Sequence, residues 1–178
     1  GKFPFSQAFS STIAKRWAGL STSILGKSAR LLIIDLDNTL WGGVIGEDGL
    51  AGIKIGGDYP GNIFKELQKF FLELHNSGIA LAICSKNDED LALQAFDKLP
   101  EMVLRREHFA AWRINWRSKW QNIQEICDEL NLGLQSALFI DDNAVEREKA
   151  QLNLPDLKVA NLPSDPINYL TELRSNLY

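Results

Sequence analysis

The stretch "RLLIIDLDNTLWGG", residues 30–43, decides the predicted fold of this chain. Four consecutive aliphatic residues run directly into two carboxylates, Asp35 and Asp37, which are followed by the turn-forming residue Asn38. A short apolar run that stops at turn residues is typical of a strand buried in a parallel sheet. Two like charges at the end of that strand repel each other unless a cation lies between them. We therefore predict a metal site at Asp35 and Asp37.

The composition predicts one globular domain. The chain has 178 residues, of which 45% are hydrophobic and 24% are charged. A chain of this length and composition can bury a substantial core, so we predict a single domain over residues 1–178. It begins with Gly1 rather than Met, which we interpret as a segment of a longer protein. Its two cysteines, Cys84 and Cys127, are too few for a disulfide framework and lack the spacing of a zinc site.

Net charge and hydropathy argue against binding to nucleic acid or to membranes. Its net charge of -4 gives no general attraction to nucleic acid or to an anionic membrane. The longest apolar stretches, "LLII" and "IALAIC", fall far short of the roughly 20 residues that a membrane-spanning helix needs. The first residues, "GKFPFSQAFSS", lack the apolar core and cleavage pattern of a secretory signal. We expect a cytoplasmic protein without nucleic-acid or membrane partners.

Apolar periodicity predicts alternating strands and helices. Strands are predicted at "LLIID", "IALAICS", residues 102–104, "SALFIDD" and "LKVA". Helices are predicted at residues 61–77 and 88–99 and at "NWRSKWQNIQEICDELN", "NAVEREKAQL" and "PINYLTELRSNL". Connections of this length allow crossovers, so the predicted fold class is α/β, a Rossmann-like parallel sheet flanked by helices.

Three further features of the pattern lead to specific expectations. Residues 6–19 have helical periodicity, so residues 1–28 are predicted to form a helical extension packed on the domain. The glycine-rich segment 41–57 predicts a small hairpin flap, which is too small to be a large cap and leaves the site open. Trp116 and Trp120 are predicted to lie on the buried stripe of their helix.

Polar side chains follow three of the predicted strands. In a parallel sheet, ligands bind beyond the carboxyl ends of the strands. The endings "LLIID", "LAICS" and "LFIDD" would therefore gather five polar residues, namely Asp35, Asp37, Ser85, Asp141 and Asp142. Clustered carboxylates with vacant coordination positions suit Mg²⁺. The alternative is that each Asp merely caps a turn or a helix, as Asp commonly does.

These motifs resemble those of the haloacid dehalogenase (HAD) superfamily. "DLDNT" matches the D-x-D-x-T opening motif, Ser85 the strand-end hydroxyl, Lys119 the basic residue and "DD" at 141–142 the acidic closing motif. The strings "DLDNTLWGGVIGEDG", "ICSKND", "NWRSKWQNI" and "FIDDN" resemble the FkbH-like branch, which loads glyceryl units onto acyl carrier proteins in polyketide assembly. The resemblance covers residues 30–166 and implies a HAD-like fold.

The resemblance implies a mechanism that agrees with the chemistry of these residues. Asp35 attacks phosphorus as a nucleophile, and Asp37 acts as general acid and base. Ser85 hydrogen-bonds a phosphoryl oxygen, while Lys119 offsets negative charge. Taken alone, Lys119 is better explained as a solvated helix residue, but its place between the "ICS" and "FIDD" strands favours the role in the site.

The resemblance also implies the ligands of the metal and of the substrate. Mg²⁺ would be held by the Asp35 carboxylate, the Asp37 backbone carbonyl and either Asp141 or Asp142, of which we favour Asp142. The residues expected to bind substrate are Thr39, Ser85, Lys86 and Asn87.

Cys84 has no role in a phosphatase. In the FkbH-like branch, the acyl phosphate 1,3-bisphosphoglycerate transfers its glyceryl group to a cysteine, and Cys84 is the best match. Its position at a strand end predicts that its side chain reaches the active edge. The alternative is that Cys84 is a small buried hydrophobic residue. Cys127 falls on the apolar stripe of a helix and is interpreted as packing.

Five basic residues and one acidic residue lie between positions 103 and 120, among several aromatic residues. This pattern occurs in nucleic-acid-binding proteins, but Trp116 and Trp120 are better explained as core residues. With Lys86, the basic stretch could instead hold a second substrate phosphate or dock an acidic carrier protein. A solvated charged face is the remaining interpretation.

Three functions remain open from the sequence. The leading hypothesis is a Mg²⁺-dependent glyceryl transferase and phosphatase, whose partners are 1,3-bisphosphoglycerate and the phosphopantetheine thiol of an acyl carrier protein. The second is a plain Mg²⁺-dependent phosphatase that acts on a small metabolite or a phosphoprotein. The third is a noncatalytic binding module, against which the intact set of acidic and basic residues argues.

Overall fold

The computed structural model describes residues 29–177, so the predicted helix at 6–19 and the extension 1–28 lie outside the described residues. Its central strand, β1 (Leu31–Ile34), comprises the aliphatic run of the opening motif, and all four side chains are fully buried. β1 pairs in parallel with one strand on each side. A strand in this position buries both of its faces, which is why its sequence is continuously apolar.

Five parallel strands form the sheet, in the order β3-β2-β1-β4-β5. The strands after β1 are β2 (Ala80–Ser85), β3 (Phe109–Ile114), β4 (Ala137–Ile140) and β5 (Lys158–Val159). Leu31 lies opposite Ala80 on one side and Ala137 on the other, so the strands that carry the motifs are direct neighbours. The predicted α/β fold with a parallel sheet is confirmed.

Helices cover both faces of this sheet. Their bounds are α1 (Ile45–Gly52), α2 (Gly61–Asn76), α3 (Glu89–Lys98), α4 (Lys119–Glu129), α5 (Ala144–Asn153) and α6 (Tyr169–Leu177). Because side chains alternate along a strand, Leu32 and Ile34 join one core cluster, whereas Leu31 and Ile33 join the other. Within residues 29–177, the structure contains no helix that is both long and apolar enough to cross a membrane.

The third strand lies later in the chain than the sequence predicted. Residues 102–104 form no strand, although Met102 and Leu104 are buried. The backbone N–H groups of Val103 and Leu104 instead donate to the side-chain oxygen of Gln68, each at 3.0 Å. A buried glutamine thus replaces a neighbouring strand as the hydrogen-bond acceptor. The strand forms instead at "FAAWRI", Phe109–Ile114.

The predicted flap is small, but it is not a hairpin. Gly42 and Lys54 form an antiparallel bridge with two backbone hydrogen bonds of 2.9 and 2.8 Å. Helix α1 occupies the segment between them, and the Asp48 carboxylate accepts the backbone N–H of Val44 at 2.8 Å at its start. The local hydrogen bond of Asp48 favours a helical turn where the glycine pattern predicted strands.

Trp116 does not lie on a buried helical stripe. Helix α4 begins at Lys119, so Trp116 lies in the preceding loop, where 74% of its surface is exposed. Trp120 is half-buried and packs against the core cluster that contains Ile123. The buried stripe of α4 is therefore shorter than the periodicity of the sequence predicted.

Candidate active site

The carboxyl ends of β1, β2 and β4 meet at one pocket of about 210 Å³. The Asp35 backbone N–H donates to the Ile140 carbonyl at 2.9 Å, so the β1–β4 pairing continues up to the acidic residues. This register places Asp35 beside Asp141, as the parallel sheet predicted. The pocket is lined by ten residues, namely Asp35, Asp37, Asn38, Val44, Ser85, Lys86, Lys119, Asp142, Asn143 and Glu146.

Lys119 lies between two buried carboxylates. Its ammonium is 3.0 Å from Asp35 Oδ1 and 2.6 Å from Asp141 Oδ2. Burial alone would lower the pKa of Lys119, but the two adjacent carboxylates outweigh burial and raise this pKa above its ordinary value. The residue is therefore a permanent positive charge inside the site, and it is not a solvated helix residue.

Asp35 is buried in a site that contains more negative than positive charge. Burial raises the pKa of Asp35 to about 7, although Lys119 acts in the opposite direction, and the neighbouring Asp141 raises it further. One ammonium group therefore does not balance the carboxylates of this site. A bound cation would stabilise the ionised form of Asp35 that acts as a nucleophile.

Three carboxylates are close enough to hold a metal ion. Asp35, Asp141 and Asp142 each offer an oxygen, and these oxygens lie within 4.8 Å of one another. Both Asp141 oxygens accept hydrogen bonds, Oδ2 from Lys119 and Oδ1 from the Asn143 N–H at 2.8 Å. Asp142 lines the pocket, whereas Asp141 is fully buried behind it. Hard oxygen donors of this kind fit Mg²⁺, and Asp142 as the direct ligand stays our prediction.

Asp37 is oriented by three donors. Its Oδ1 accepts the Trp41 indole N–H at 3.0 Å and the Ile45 backbone N–H at 2.9 Å, while its Oδ2 accepts the Asn87 amide at 2.9 Å. The Asp37 carboxylate is not part of the three-carboxylate group, and its backbone carbonyl stays a predicted ligand. These hydrogen bonds hold the carboxylate at the wall of the pocket, where a general acid or base must lie.

The structure divides the predicted substrate-binding residues into two groups. Ser85 and Lys86 line the pocket, and Lys86 forms an ion pair of 2.8 Å with Glu146. Thr39 and Asn87 are buried and do not line it.

The buried pair supports other residues of the site. The Thr39 hydroxyl donates to Asp142 Oδ1 at 3.2 Å and accepts the Asp142 N–H at 3.1 Å. The Asn87 amide donates to Asp37 and to the Ser85 hydroxyl. The polar atoms of Thr39 and Asn87 therefore position neighbouring site residues, and their contact with substrate stays a prediction.

Cys84 does not reach the pocket. It precedes Ser85 on β2, and the alternation of the strand directs the two side chains to opposite faces. The Cys84 side chain is fully buried in a core cluster, and its thiol donates to the Lys119 carbonyl at 3.7 Å. Burial raises the pKa of the Cys84 thiol well above its ordinary value, which disfavours the nucleophilic thiolate. The prediction that this side chain reaches the active edge is wrong.

The basic stretch at 103–120 does not form a free basic patch. Arg106 pairs with Asp97, and Arg117 pairs with Glu125. Arg113 pairs with Glu125 and Glu129, and the Arg105 guanidinium donates to the Phe96 carbonyl. Lys119 belongs to the pocket. Intramolecular partners thus occupy the charges that were considered for docking an acidic protein.

Among the described residues, sequence analysis missed three side chains that support the site from outside the pocket lining. They are Trp41, which donates to Asp37; Arg147, which donates to the backbone carbonyls of Asp141 and Asp142 at 2.8 Å each; and Tyr169, which donates to the Asn38 carbonyl at 3.2 Å. Arg147 follows the acidic motif closely enough to be considered with it. The contact of Tyr169 spans 131 residues and has no signal in the sequence.

Solved structures of other proteins share this architecture. A predicted HAD-like hydrolase from Porphyromonas gingivalis is 13% identical with a TM-score of 0.54, and the match covers 83% of this chain and 98% of that chain. This chain has the HAD fold. A cobalt-bound deoxy-D-mannose-octulosonate 8-phosphate phosphatase from Haemophilus influenzae, also 13% identical with a TM-score of 0.53, has the same fold over 86% of this chain and 89% of that chain.

A more similar structure with this fold comes from Bacteroides fragilis. It is the N-terminal part of the protein BF1531, which contains a phosphatase domain complexed with Mg. This chain is 42% identical to it, with a TM-score of 0.83 over 92% of this chain. The match spans 44% of the length of that chain. No protein-family model matches this chain, and no curated protein matches it.

Proposed function

We propose that this chain is a Mg²⁺-dependent phosphatase that hydrolyses small phosphomonoesters. The convergence of Asp35, Asp141 and Asp142 around Lys119, in the same pocket as Asp37 and Ser85, carries the proposal. The similarity to the Mg-complexed BF1531 phosphatase domain supports it.

The proposed first step is attack by Asp35 on phosphorus. A bond forms between the Asp35 carboxylate oxygen and phosphorus, and the bond from phosphorus to the leaving oxygen breaks. Asp37 donates its proton to that oxygen, so the product leaves as a neutral alcohol. Ser85 hydrogen-bonds a phosphoryl oxygen, and Lys119 offsets the charge of Asp35 and of the phosphate.

The second step hydrolyses the aspartyl-phosphate. Asp37, now ionised, takes a proton from water while the water oxygen attacks phosphorus. The bond between Asp35 and phosphorus breaks, which releases inorganic phosphate and restores both carboxyl groups. A Mg²⁺ ion held by Asp35, Asp142 and the Asp37 carbonyl, with Asp141 behind them, would neutralise the charge of the phosphoryl group when bound.

Hydrolysis of p-nitrophenyl phosphate with and without Mg²⁺ tests this function. We expect release of p-nitrophenolate in Mg²⁺ and loss of nearly all activity in excess EDTA, because the carboxylates then repel the phosphate. A negative result would be repeated with an acyl phosphate, which is a more reactive substrate. The absence of Mg²⁺-dependent hydrolysis of both compounds would refute the proposal.

Binding of Mg²⁺ is expected to depend on pH. Asp35, whose pKa is raised to about 7, holds a proton below that pH, and a cation must displace this proton to bind. The apparent affinity for Mg²⁺ should therefore fall up to about tenfold for each pH unit below 7 and level off above it. Calorimetric titration between about pH 5 and pH 8 measures this affinity. An affinity that does not change over this range would contradict the shifted pKa.

We propose glyceryl transfer as a second candidate function. In this candidate, glyceryl passes from 1,3-bisphosphoglycerate to the phosphopantetheine thiol of an acyl carrier protein in polyketide biosynthesis. The motif strings that resemble the FkbH-like branch favour it, as does the short segment between Gly42 and Lys54, which leaves room for a macromolecular thiol. The burial of Cys84 counts against a covalent step on that thiol.

The mass of the intact protein tests whether glyceryl passes through Cys84. After incubation with 1,3-bisphosphoglycerate, we expect no glyceryl mass on Cys84, because the thiol is buried and its pKa is raised. Cys84→Ala should retain phosphatase activity within about threefold of the parent protein, because the side chain does not line the pocket. Cys127→Ala is the matched control. Glyceryl on Cys84 that is lost in Cys84→Ala but not in Cys127→Ala would establish transfer through this cysteine.

A further inference from the structure

Asn38 has an unusual backbone conformation in the loop that carries Asp37. Its φ of 55° is in the left-handed region, which non-glycine residues seldom adopt and Asn adopts more readily than most. Its side-chain oxygen accepts the Gly43 N–H at 2.8 Å, and its own N–H donates to the Gly43 carbonyl at 3.2 Å. Such a conformation persists when the surrounding contacts hold it in place.

A further contact of Asn38 comes from the C-terminal helix. The Tyr169 hydroxyl, at the start of α6, donates to the Asn38 carbonyl at 3.2 Å. The Tyr169 ring is 3% exposed and packs edge-on against Phe64, with ring centroids 6.3 Å apart. Burial raises the pKa of Tyr169 to about 12, so its hydroxyl remains a hydrogen-bond donor at neutral pH.

Asp37 immediately precedes Asn38, whose backbone is held by the Tyr169 hydroxyl. Its carboxylate is held by Trp41, by the backbone N–H of Ile45 at the start of α1, and by Asn87 after β2. Tyr169 supports the Asn38 backbone from the packed core that includes Phe64. We propose that Tyr169 is a positioning residue that fixes the Asp37 loop, and so sets where this carboxyl group meets the leaving oxygen of the substrate; this inference rests on the proposed phosphatase function.

The identity of the leaving group provides a specific test of this role. An alkyl alcohol is a poor leaving group and needs the proton of Asp37, whereas p-nitrophenolate leaves without protonation. A displaced Asp37 should therefore slow hydrolysis of an alkyl phosphate much more than hydrolysis of p-nitrophenyl phosphate. A general loss of packing would slow both reactions equally.

The experiment compares Tyr169→Phe with the parent protein in Mg²⁺. The substitution removes only the hydroxyl and keeps the ring against Phe64. We expect kcat/KM for glycerol phosphate to fall about 10- to 100-fold and that for p-nitrophenyl phosphate to fall less than about 3-fold. Tyr59→Phe is the matched control, because Tyr59 is exposed and its hydroxyl is 3.5 Å from Asp165. Equal losses for the two esters, or no loss for either, would overturn the proposal.

A second measurement does not depend on activity. The Trp41 indole N–H donates to Asp37, so its nuclear magnetic resonance signal, assigned with Trp41→Phe, reports on the Asp37 carboxylate. We expect this signal to shift in Tyr169→Phe and to stay in place in Tyr59→Phe. An unchanged signal in Tyr169→Phe would overturn the positioning role. If the parent protein hydrolyses neither these esters nor an acyl phosphate, the proposed function fails, and this signal alone decides whether Tyr169 positions the loop.

Discussion

Asp35→Asn is expected to lower kcat for phosphomonoester hydrolysis by about 10⁴-fold or more. The amide has nearly the same shape as the carboxylate, but it is not a nucleophile towards phosphorus. It also removes one of the three carboxylates that could hold a metal ion. Progress curves with p-nitrophenyl phosphate in Mg²⁺ measure this loss. Asp156→Asn, at an exposed turn, is the matched control and should keep the parent activity.

The same substitution should not destabilise the metal-free protein. Burial raises the pKa of Asp35, so its ionised form lowers the free energy of unfolding at neutral pH. The neutral amide of Asn has no buried charge, so it does not lower the free energy of unfolding in this way. Its oxygen can still accept a hydrogen bond from Lys119. We therefore expect an equal or higher Tm in EDTA, together with a smaller increase of Tm on adding Mg²⁺. Retention of more than about 1% of the parent activity would contradict the nucleophilic role.

Lys119→Met is expected to destabilise the metal-free protein by about 3 to 5 kcal/mol. Methionine has a similar length, but it leaves Asp35 and Asp141 buried without the ammonium that contacts both. For a chain of this size the loss corresponds to a fall of roughly 6 to 20 °C in Tm. Thermal unfolding in EDTA at about pH 8 measures it. Lys98→Met, on the exposed side of α3, is the matched control.

The destabilisation should depend on both pH and metal. Because the pKa of Asp35 is raised, lowering the pH towards about 5 protonates this group, and the loss of stability should become smaller. Mg²⁺ should also restore part of the stability, since a divalent cation replaces the missing positive charge. A fall in Tm of less than about 2 °C at pH 8 would contradict the role of Lys119 as the charge that balances the site.

The strands that carry the acidic motifs were predicted correctly, because burial of an apolar run and the shared direction of parallel strands determine where they end. Leu31–Ile34 forms a central strand because its apolar run is buried on both faces. Parallel strands place their carboxyl ends at one edge, so Asp35, Ser85 and Asp142 meet at one pocket although they are far apart in sequence. Lys119 could be included only through the resemblance, since its helical context alone also allowed a solvated residue.

The errors concern contacts that depend on partners distant in the chain. Residues 102–104 have the composition of a strand, but their N–H groups bind Gln68 and the strand forms at Phe109–Ile114. The pattern of β2 could not show whether Cys84 or Ser85 faces the pocket, since the two faces of an apolar strand look alike in sequence.

The parallel α/β architecture and the edge at which acidic residues gather could be predicted from the sequence, because apolar patterns mark the strands and long connections make them parallel. The tertiary structure decided which side chain of each strand end faces the pocket and which residues hold them there. Hydrogen bonds from three side chains support the acidic loops. The Thr39 hydroxyl donates to Asp142, Arg147 donates to the Asp141 carbonyl, and the Tyr169 hydroxyl donates to the Asn38 carbonyl. Such contacts depend on how the elements pack in three dimensions, which no local pattern encodes.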